Sequence, residues 1–168
     1  LSVGSKAAGF AVILNVFLRA FGGEVLQVLD WAIIFAMLGA ISMTLGNVVA
    51  IAQANIKRML GYSSIAQAGY LMVGLAAVTK AAELNDLSVF GPTGLIFFIG
   101  CYAVANLGAF IAIIAISNKI DSDLIEDYSG MGRRAPLLSL ALTLCLVSLT
   151  GLPPTAGFLA KFYLFNAA

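Results

Sequence analysis

Two lysines stand in stretches of sequence that are otherwise free of charge, and they are the residues best suited to chemistry. Lys6 precedes an uncharged run, residues 7–18, that ends at Arg19, and Lys161 lies in an uncharged run that continues to the end of the chain. If Arg19 marks a membrane interface, Lys6 lies roughly 20 Å deeper along a helix, within a hydrocarbon core about 30 Å thick. A lysine at that depth costs on the order of 2.5–3.5 kcal/mol, so each position needs an explanation.

Two interpretations account for these lysines. Long side chains near helix ends can extend to the membrane surface, which would make both lysines structural cations. Alternatively, both ammonium groups face a partly hydrated interior of a helix bundle, where an incompletely solvated ammonium releases its proton more readily. Lys6 and Lys161 are therefore the candidate sites of proton uptake and release.

A proline pair shortly before Lys161 favours the second interpretation. The sequence 148–157 reads SLTGLPPTAG, with Pro153 and Pro154 inside an apolar run long enough to span a membrane. Two prolines remove two helix donors and clash with the preceding turn, so the helix should break there and leave free backbone groups. Such breaks are tolerated where they line a hydrated cavity, and transporters use them as ion sites. The alternative is a simple kink.

Polar side chains enter a second apolar run after two basic residues. Tyr62, Ser63, Ser64 and Gln67 follow the Lys57–Arg58 pair, and Asn106 lies within a later run. Such groups can hold helices together by hydrogen bonds, or they can line a file of water molecules. Both interpretations stay open for these residues.

The elements that must position these groups are membrane-spanning helices. The chain of 168 residues is 61% hydrophobic and 10% charged, whereas soluble domains carry about 25% charged residues. A mean hydropathy of +1.03 agrees with a surface that faces lipid. A net charge of +1 argues against a nucleic-acid partner bound by bulk charge. The chain has no histidine, and its two cysteines lack metal-ligand spacing, so no metal site is predicted.

The charges divide the sequence into five uncharged runs, and helices are the form in which such runs satisfy their backbone within lipid. We predict an all-α polytopic transmembrane bundle whose last span is discontinuous, within a fragment of a longer protein. The predicted spans are Ser5–Ala20, Trp31–Gln53, Met59–Thr79, Thr93–Ser117 and Pro136–Ala168.

The basic residues indicate how the spans are oriented. Most lie in the second and fourth connections, which hold Lys57, Arg58, Lys119, Arg133 and Arg134. The first and third connections hold Arg19 and Lys80. The richer side should be cytoplasmic, which places the start of the first helix inside.

Two long motifs resemble a known family. Residues 55–70 read NIKRMLGYSSIAQAGY, and residues 151–163 read GLPPTAGFLAKFY. Both resemble segments of the antiporter-like membrane subunits of respiratory complex I, closest to the subunit N branch. The resemblance covers essentially the whole chain. One paralogous branch has a glutamate where Lys161 stands, which argues against that branch.

The resemblance implies a fold and a role for the two lysines. Members of the family contain two inverted repeats, each with a discontinuous helix, and a line of buried ionisable residues across the membrane plane. Lys6 matches the lysine of the family's eighth helix, and Lys161 matches that of its broken twelfth helix. Many relatives carry a histidine where Gln67 stands, so transfer between the two lysines would rely on water and hydroxyl groups here. The acidic and basic groups of earlier helices would lie upstream of Leu1.

The function implied by the resemblance is that of a membrane subunit of NADH-quinone oxidoreductase, with residues 1–168 forming part of one proton-translocating antiporter-like domain. The chain would hold no cofactor, because NADH and quinone are used elsewhere in the complex. Its partners would be other membrane subunits, the lipid bilayer and protons, in a multi-pass protein of the cell inner membrane. The alternatives are a subunit of a multisubunit cation/proton antiporter and one of a membrane-bound hydrogenase.

Overall fold

The computed structural model describes residues 2–19, 30–83 and 90–166. Regular structure in these ranges is helical, apart from one isolated antiparallel bridge between Asn55 and Leu124. A short 3-10 turn, Ile125–Tyr128, follows that bridge. The α-helices of the described ranges are α1 (Ser2–Arg19), α2 (Trp31–Ile51), α3 (Ile56–Glu83), α4 (Phe90–Ile120), α5 (Met131–Arg134), α6 (Pro136–Thr150) and α7 (Ala156–Asn166).

Side chains at the helix starts explain where the helices begin. Asp30 precedes α2 and its carboxylate accepts a hydrogen bond from the Ile33 N–H at 3.3 Å. The Asn55 amide oxygen does the same for α3, accepting from the N–H groups of Lys57 and Arg58 at 3.0 and 3.1 Å. Pro136 occupies the first turn of α6, where its missing N–H is not needed. These are the ordinary N-terminal signals of helices.

The positions of the predicted spans agree with the helices, but several of their ends differ. Helix α3 begins at Ile56, before the basic pair at which the predicted span was cut, and α4 continues to Ile120. Long basic side chains allow a helix to continue past the interface, so a charge does not mark its end. The predicted ends at Ala20 and Ala168 lie outside the described residues, as do most of the first and third predicted connections.

Two helices of the described ranges are long and apolar enough to cross a membrane, Trp31–Ile51 and Thr93–Ile120. Pro136–Thr150 is a shorter apolar helix, and α3 is long but carries the polar groups noted above. The discontinuous last span is confirmed, because α6 and α7 are separate helices. The total of five spans stays a prediction.

The centre of the bundle is formed by α3 and α4. Helix α2 packs along α3, while α4 packs against α3, α6 and α7, and α1 contacts both α3 and α4. The most deeply buried side chains come from several helices and include Leu71, Leu95, Ile113, Ala160 and Leu164. The inward-facing residues of four helices therefore lie close to one another, those of α1, α3, α6 and α7.

Two connections on the side rich in basic residues are joined to each other. The Ile56 N–H donates to the Asp123 carbonyl at 3.0 Å, and the Ile125 N–H donates to the Ala54 carbonyl at 2.9 Å. The Lys57 ammonium lies 2.7 Å from the Asp123 carboxylate. Hydrogen bonds from Lys57 and from Ser117 hold the pKa of Asp123 below its ordinary value. This salt bridge ties the start of α3 to the segment that follows α4.

Candidate functional site

The candidate functional site lies at the break in the last span. Helix α6 ends at Thr150 and is capped by Gly151, whose φ of 82° lies in the left-handed region that glycine adopts without strain. The Gly151 N–H donates to the carbonyls of Val147 and Ser148, both at 3.1 Å. The chain resumes as α7 at Ala156. The predicted break is thus present, and the alternative of a simple kink was wrong.

Lys161 extends from α7 back across this break. Its side chain passes over Gly151, where a Cβ atom would meet the Lys161 Cδ at 3.0 Å. Its ammonium donates to the carbonyls of Leu149 and Thr150 at 3.0 and 3.1 Å. The last carbonyls of a helix have no partner within the helix and carry its partial negative charge, so they suit a cation. The Tyr70 ring lies 4.6 Å from the same ammonium and adds a cation–π contact.

Lys6, on α1, forms hydrogen bonds with α3. Its ammonium donates to both the carbonyl and the hydroxyl oxygen of Ser64, each at 2.7 Å. The Ser64 hydroxyl in turn donates to the Gly61 carbonyl at 2.6 Å. Ser64 is buried and Lys6 is half-buried. The ammonium is therefore turned toward the interior of the bundle.

Gln67, on α3, forms a hydrogen bond with the Leu149 carbonyl, which is also an acceptor for Lys161. Its amide nitrogen donates to the Leu149 carbonyl at 3.2 Å, so that one oxygen accepts hydrogen bonds from both Gln67 and Lys161. Gln67 lies one helical turn beyond Ser64 on α3, and both side chains are buried. A polar strip on one face of α3 thus joins Ser64, which binds Lys6, to Gln67, which shares an acceptor with Lys161.

A cleft of about 480 Å³ adjoins this strip on the Lys161 side. It is lined by residues of α2, α3, α6 and α7, and its polar lining includes Asn47, Ser63, Gln67, Thr150 and Lys161. A water molecule occupies about 30 Å³ in the liquid, so the cleft has room for several. Ser63 and Gln67, predicted either to hold helices or to line water, do border this space.

The two ammonium groups share an unusual electrostatic setting. Within the described part of the chain, neither forms a salt bridge, and their acceptors are carbonyl and hydroxyl oxygens. Removing a proton from a buried salt bridge would leave an unpaired carboxylate, which is costly. Loss of a proton from Lys6 or Lys161 leaves behind neutral groups only. The arrangement is therefore compatible with either protonation state of each lysine.

Two tyrosines that the sequence patterns did not single out also lie at the site. Tyr70 contacts Lys161, and Tyr102 is buried and lines a small cavity together with Gln67 and Lys161. Tyr102 lies four residues before Asn106 on α4, so the two share a helix face. That spacing is the signal that would have singled out Tyr102. Asn106 is buried, and its role stays a prediction.

Comparison with known proteins places the chain in a family. All of it, residues 1–168, matches the family described as "NADH:quinone oxidoreductase/Mrp antiporter, TM". It is 53% identical over its full length to "NADH-quinone oxidoreductase subunit N" of Dehalococcoides mccartyi, covering 34% of that protein. It is 50% identical over 99% of its length to the protein of the same name from Desulforamulus reducens, covering 32% of it.

A third relative carries a related name. The chain is 50% identical over its full length to "NAD(P)H-quinone oxidoreductase subunit 2" of Gloeobacter violaceus and covers 30% of that protein. It thus spans about a third of the length of the curated relatives it matches. The resemblance deduced from the two motifs is confirmed. The chain belongs to the NADH:quinone oxidoreductase/Mrp antiporter transmembrane family.

Proposed function

We propose that the chain is part of a membrane subunit of NADH-quinone oxidoreductase that moves protons through Lys6 and Lys161 while quinone is reduced elsewhere in the complex. The observation that carries this proposal is the pair of inward-facing ammonium groups that both contact α3, each held by neutral oxygens. The names of the relatives support the assignment to this complex. The chain itself would hold no cofactor.

Each lysine would act by loading and releasing a proton. An ammonium at membrane depth is incompletely solvated, so a modest change in the local field is enough to favour the amine. Such a change would come from electrostatic or conformational events in neighbouring membrane subunits. Lys161 would exchange protons with water in the adjoining cleft, and Lys6 would exchange with Lys161 across the polar strip on α3. The protein would be a multi-pass protein of the cell inner membrane.

The proposal is tested with the full-length protein in its native membrane. An affinity-tagged copy should carry NADH–quinone oxidoreductase activity through purification in mild detergent. Inside-out vesicles from cells that lack the gene should lose NADH-driven proton uptake, because the pump lacks part of its proton route. Uptake driven by a respiratory substrate that bypasses NADH should be unchanged, which controls for vesicle integrity.

These vesicles also distinguish the proposed function from the alternative, a subunit of a cation/proton antiporter. A cation/proton antiporter subunit would leave NADH-driven uptake intact. Its deletion would instead abolish the proton release that sodium ions cause in energised vesicles. That pattern, together with a purified protein free of NADH–quinone oxidoreductase activity, would overturn the proposal.

A further inference from the structure

A groove of about 320 Å³ lies on an exposed face of the bundle, where α2 ends and α3 begins. The residues that line it are Gln53, Arg58, Gly61, Tyr62 and Ile65. The four that belong to α3 recur at the spacing of one helix face, and all four are exposed. The groove shares no lining residue with the cleft that contains Lys161, so it is a separate feature of the molecule.

Arg58 gives the groove a positive charge that the described part of the chain leaves unpaired. Its side chain is exposed and forms no salt bridge with a described residue. The adjacent Lys57 differs, because its ammonium lies 2.7 Å from the Asp123 carboxylate. A guanidinium offers five N–H donors in a planar fork that fits the oxygens of a phosphate group. Arg58 is thus placed to bind an anion from outside this part of the chain.

Two further polar groups border the same groove. The Gln53 amide donates one N–H to the Val49 carbonyl at 3.1 Å, which orients the side chain and leaves its second N–H for a ligand. Tyr62 is 37% exposed, and tyrosine is enriched where lipid headgroups meet hydrocarbon because its ring is apolar and its hydroxyl is polar. The head of the groove therefore has three side chains that can donate hydrogen bonds.

The groove becomes apolar with distance from Arg58. Ile65 lies seven residues further along α3, roughly 10 Å away by helical rise, and is 43% exposed. Between them, Gly61 keeps the groove open, since a Cβ atom there would meet no described atom within 4 Å. A cation at one end with apolar surface beyond it matches a molecule that has an anionic head and a hydrocarbon tail. A free phosphate ion would use the head end alone.

We infer that this groove binds an anionic phospholipid, with the phosphate on Arg58 and an acyl chain along Gly61 and Ile65. Charge complementarity selects this occupant, because Arg58 lies at the end of the bundle that is rich in basic residues, where anionic headgroups are attracted. A zwitterionic choline headgroup would bring its own cation beside the guanidinium. The inference goes beyond the proposed proton route and does not depend on it, since lipid binding requires no proton transfer.

The first test compares two photoreactive lipids in proteoliposomes that contain the full-length protein with its partner subunits. Both lipids carry the same diazirine-labelled acyl chain, and their headgroups are phosphatidylglycerol and phosphatidylcholine. We expect phosphatidylglycerol to label residues 61–65 several-fold more than phosphatidylcholine does, measured by mass spectrometry of peptides. Equal labelling would show that the anionic headgroup is not recognised, and no labelling by either lipid would show that protein covers the groove. Either result would overturn the inference without a variant.

The second test uses variants in the same proteoliposomes. Arg58→Gln should lower phosphatidylglycerol labelling to the level of phosphatidylcholine. Arg58→Lys should retain part of the difference, because an ammonium keeps the charge but lacks the planar fork. Lys119→Gln is the matched control, since it removes an exposed positive charge at the same end of the bundle but outside the groove, and its labelling should be unchanged. Full labelling in Arg58→Gln, or equal losses in Arg58→Gln and Lys119→Gln, would overturn the assignment of the lipid to this groove.

Inorganic phosphate distinguishes a phospholipid site from a site for free phosphate. An excess of inorganic phosphate, compared with chloride at the same ionic strength, should leave the preference for phosphatidylglycerol in place, because the acyl chain also holds the lipid in the groove. Loss of that preference in phosphate but not in chloride would show that the free anion is the ligand of Arg58, and would overturn the phospholipid.

Discussion

Replacing Lys161 by arginine should abolish proton pumping by the assembled complex, although the positive charge remains. A guanidinium is not deprotonated in proteins, so it can donate hydrogen bonds to the Leu149 and Thr150 carbonyls but cannot release a proton to the cleft. Lys161→Ala removes the titrating group altogether and should have the same effect. Reconstituted complexes should therefore pump far fewer protons per NADH oxidised, measured with a pH-sensitive dye inside proteoliposomes.

A matched control is available at the start of α3, where Lys57 lies. Lys57→Arg keeps the salt bridge to Asp123, where only charge is required, and should pump normally. A purely structural Lys161 predicts a different pattern, because arginine would then bind the helix-end carbonyls as well as lysine does. Normal pumping by Lys161→Arg in a fully assembled complex would show that Lys161 is not a proton site.

Gly157→Ala should strongly destabilise the discontinuous span. A Cβ atom at this position would lie 1.8 Å from the Ser148 carbonyl oxygen, far inside contact distance, and that oxygen belongs to rigid backbone. The start of α7 must then move away from the end of α6, at a cost of about 1–3 kcal/mol or more. Because Lys161 bonds across this junction, the shift should also impair pumping. Thermal unfolding of the purified complex and the proteoliposome assay measure the two effects.

Gly100→Ala is the control for this substitution. Gly100 lies within α4, and a Cβ there would meet no atom of the described residues within 4 Å. Alanine favours helix over glycine, so stability should stay the same or rise slightly. Equal stability and pumping in Gly157→Ala and Gly100→Ala would contradict the close approach of α6 and α7.

The helical pattern and the break in the last span were predictable because both depend on local sequence. Uncharged runs fix where helices lie, and two prolines remove helix donors wherever they occur. The Gly151 conformation that ends α6 follows from the same short segment. Helix ends near Lys57 and Lys119 were less predictable, since long basic side chains let a helix run past the membrane surface.

The partners of the two lysines could not be predicted in the same way. Lys6 meets Ser64 across 58 positions of sequence, and Gln67 meets Leu149 across 82, so both contacts depend on how the helices pack. Lys161 was recognised from its apolar surroundings, yet its acceptors are backbone carbonyls that no side-chain pattern reveals. Tyr102 was missed because a tyrosine in an apolar run is ordinarily a core residue.

The most direct test of the central claim is the proton yield per NADH for Lys6→Arg, Lys161→Arg and the double variant, each in assembled complex with electron transfer measured in parallel. If the two lysines act in series, each single variant should already pump as poorly as the double variant, because residues that act as a unit are not additive. Normal pumping by either single variant, or losses that add in the double variant, would contradict a shared proton route through Lys6 and Lys161.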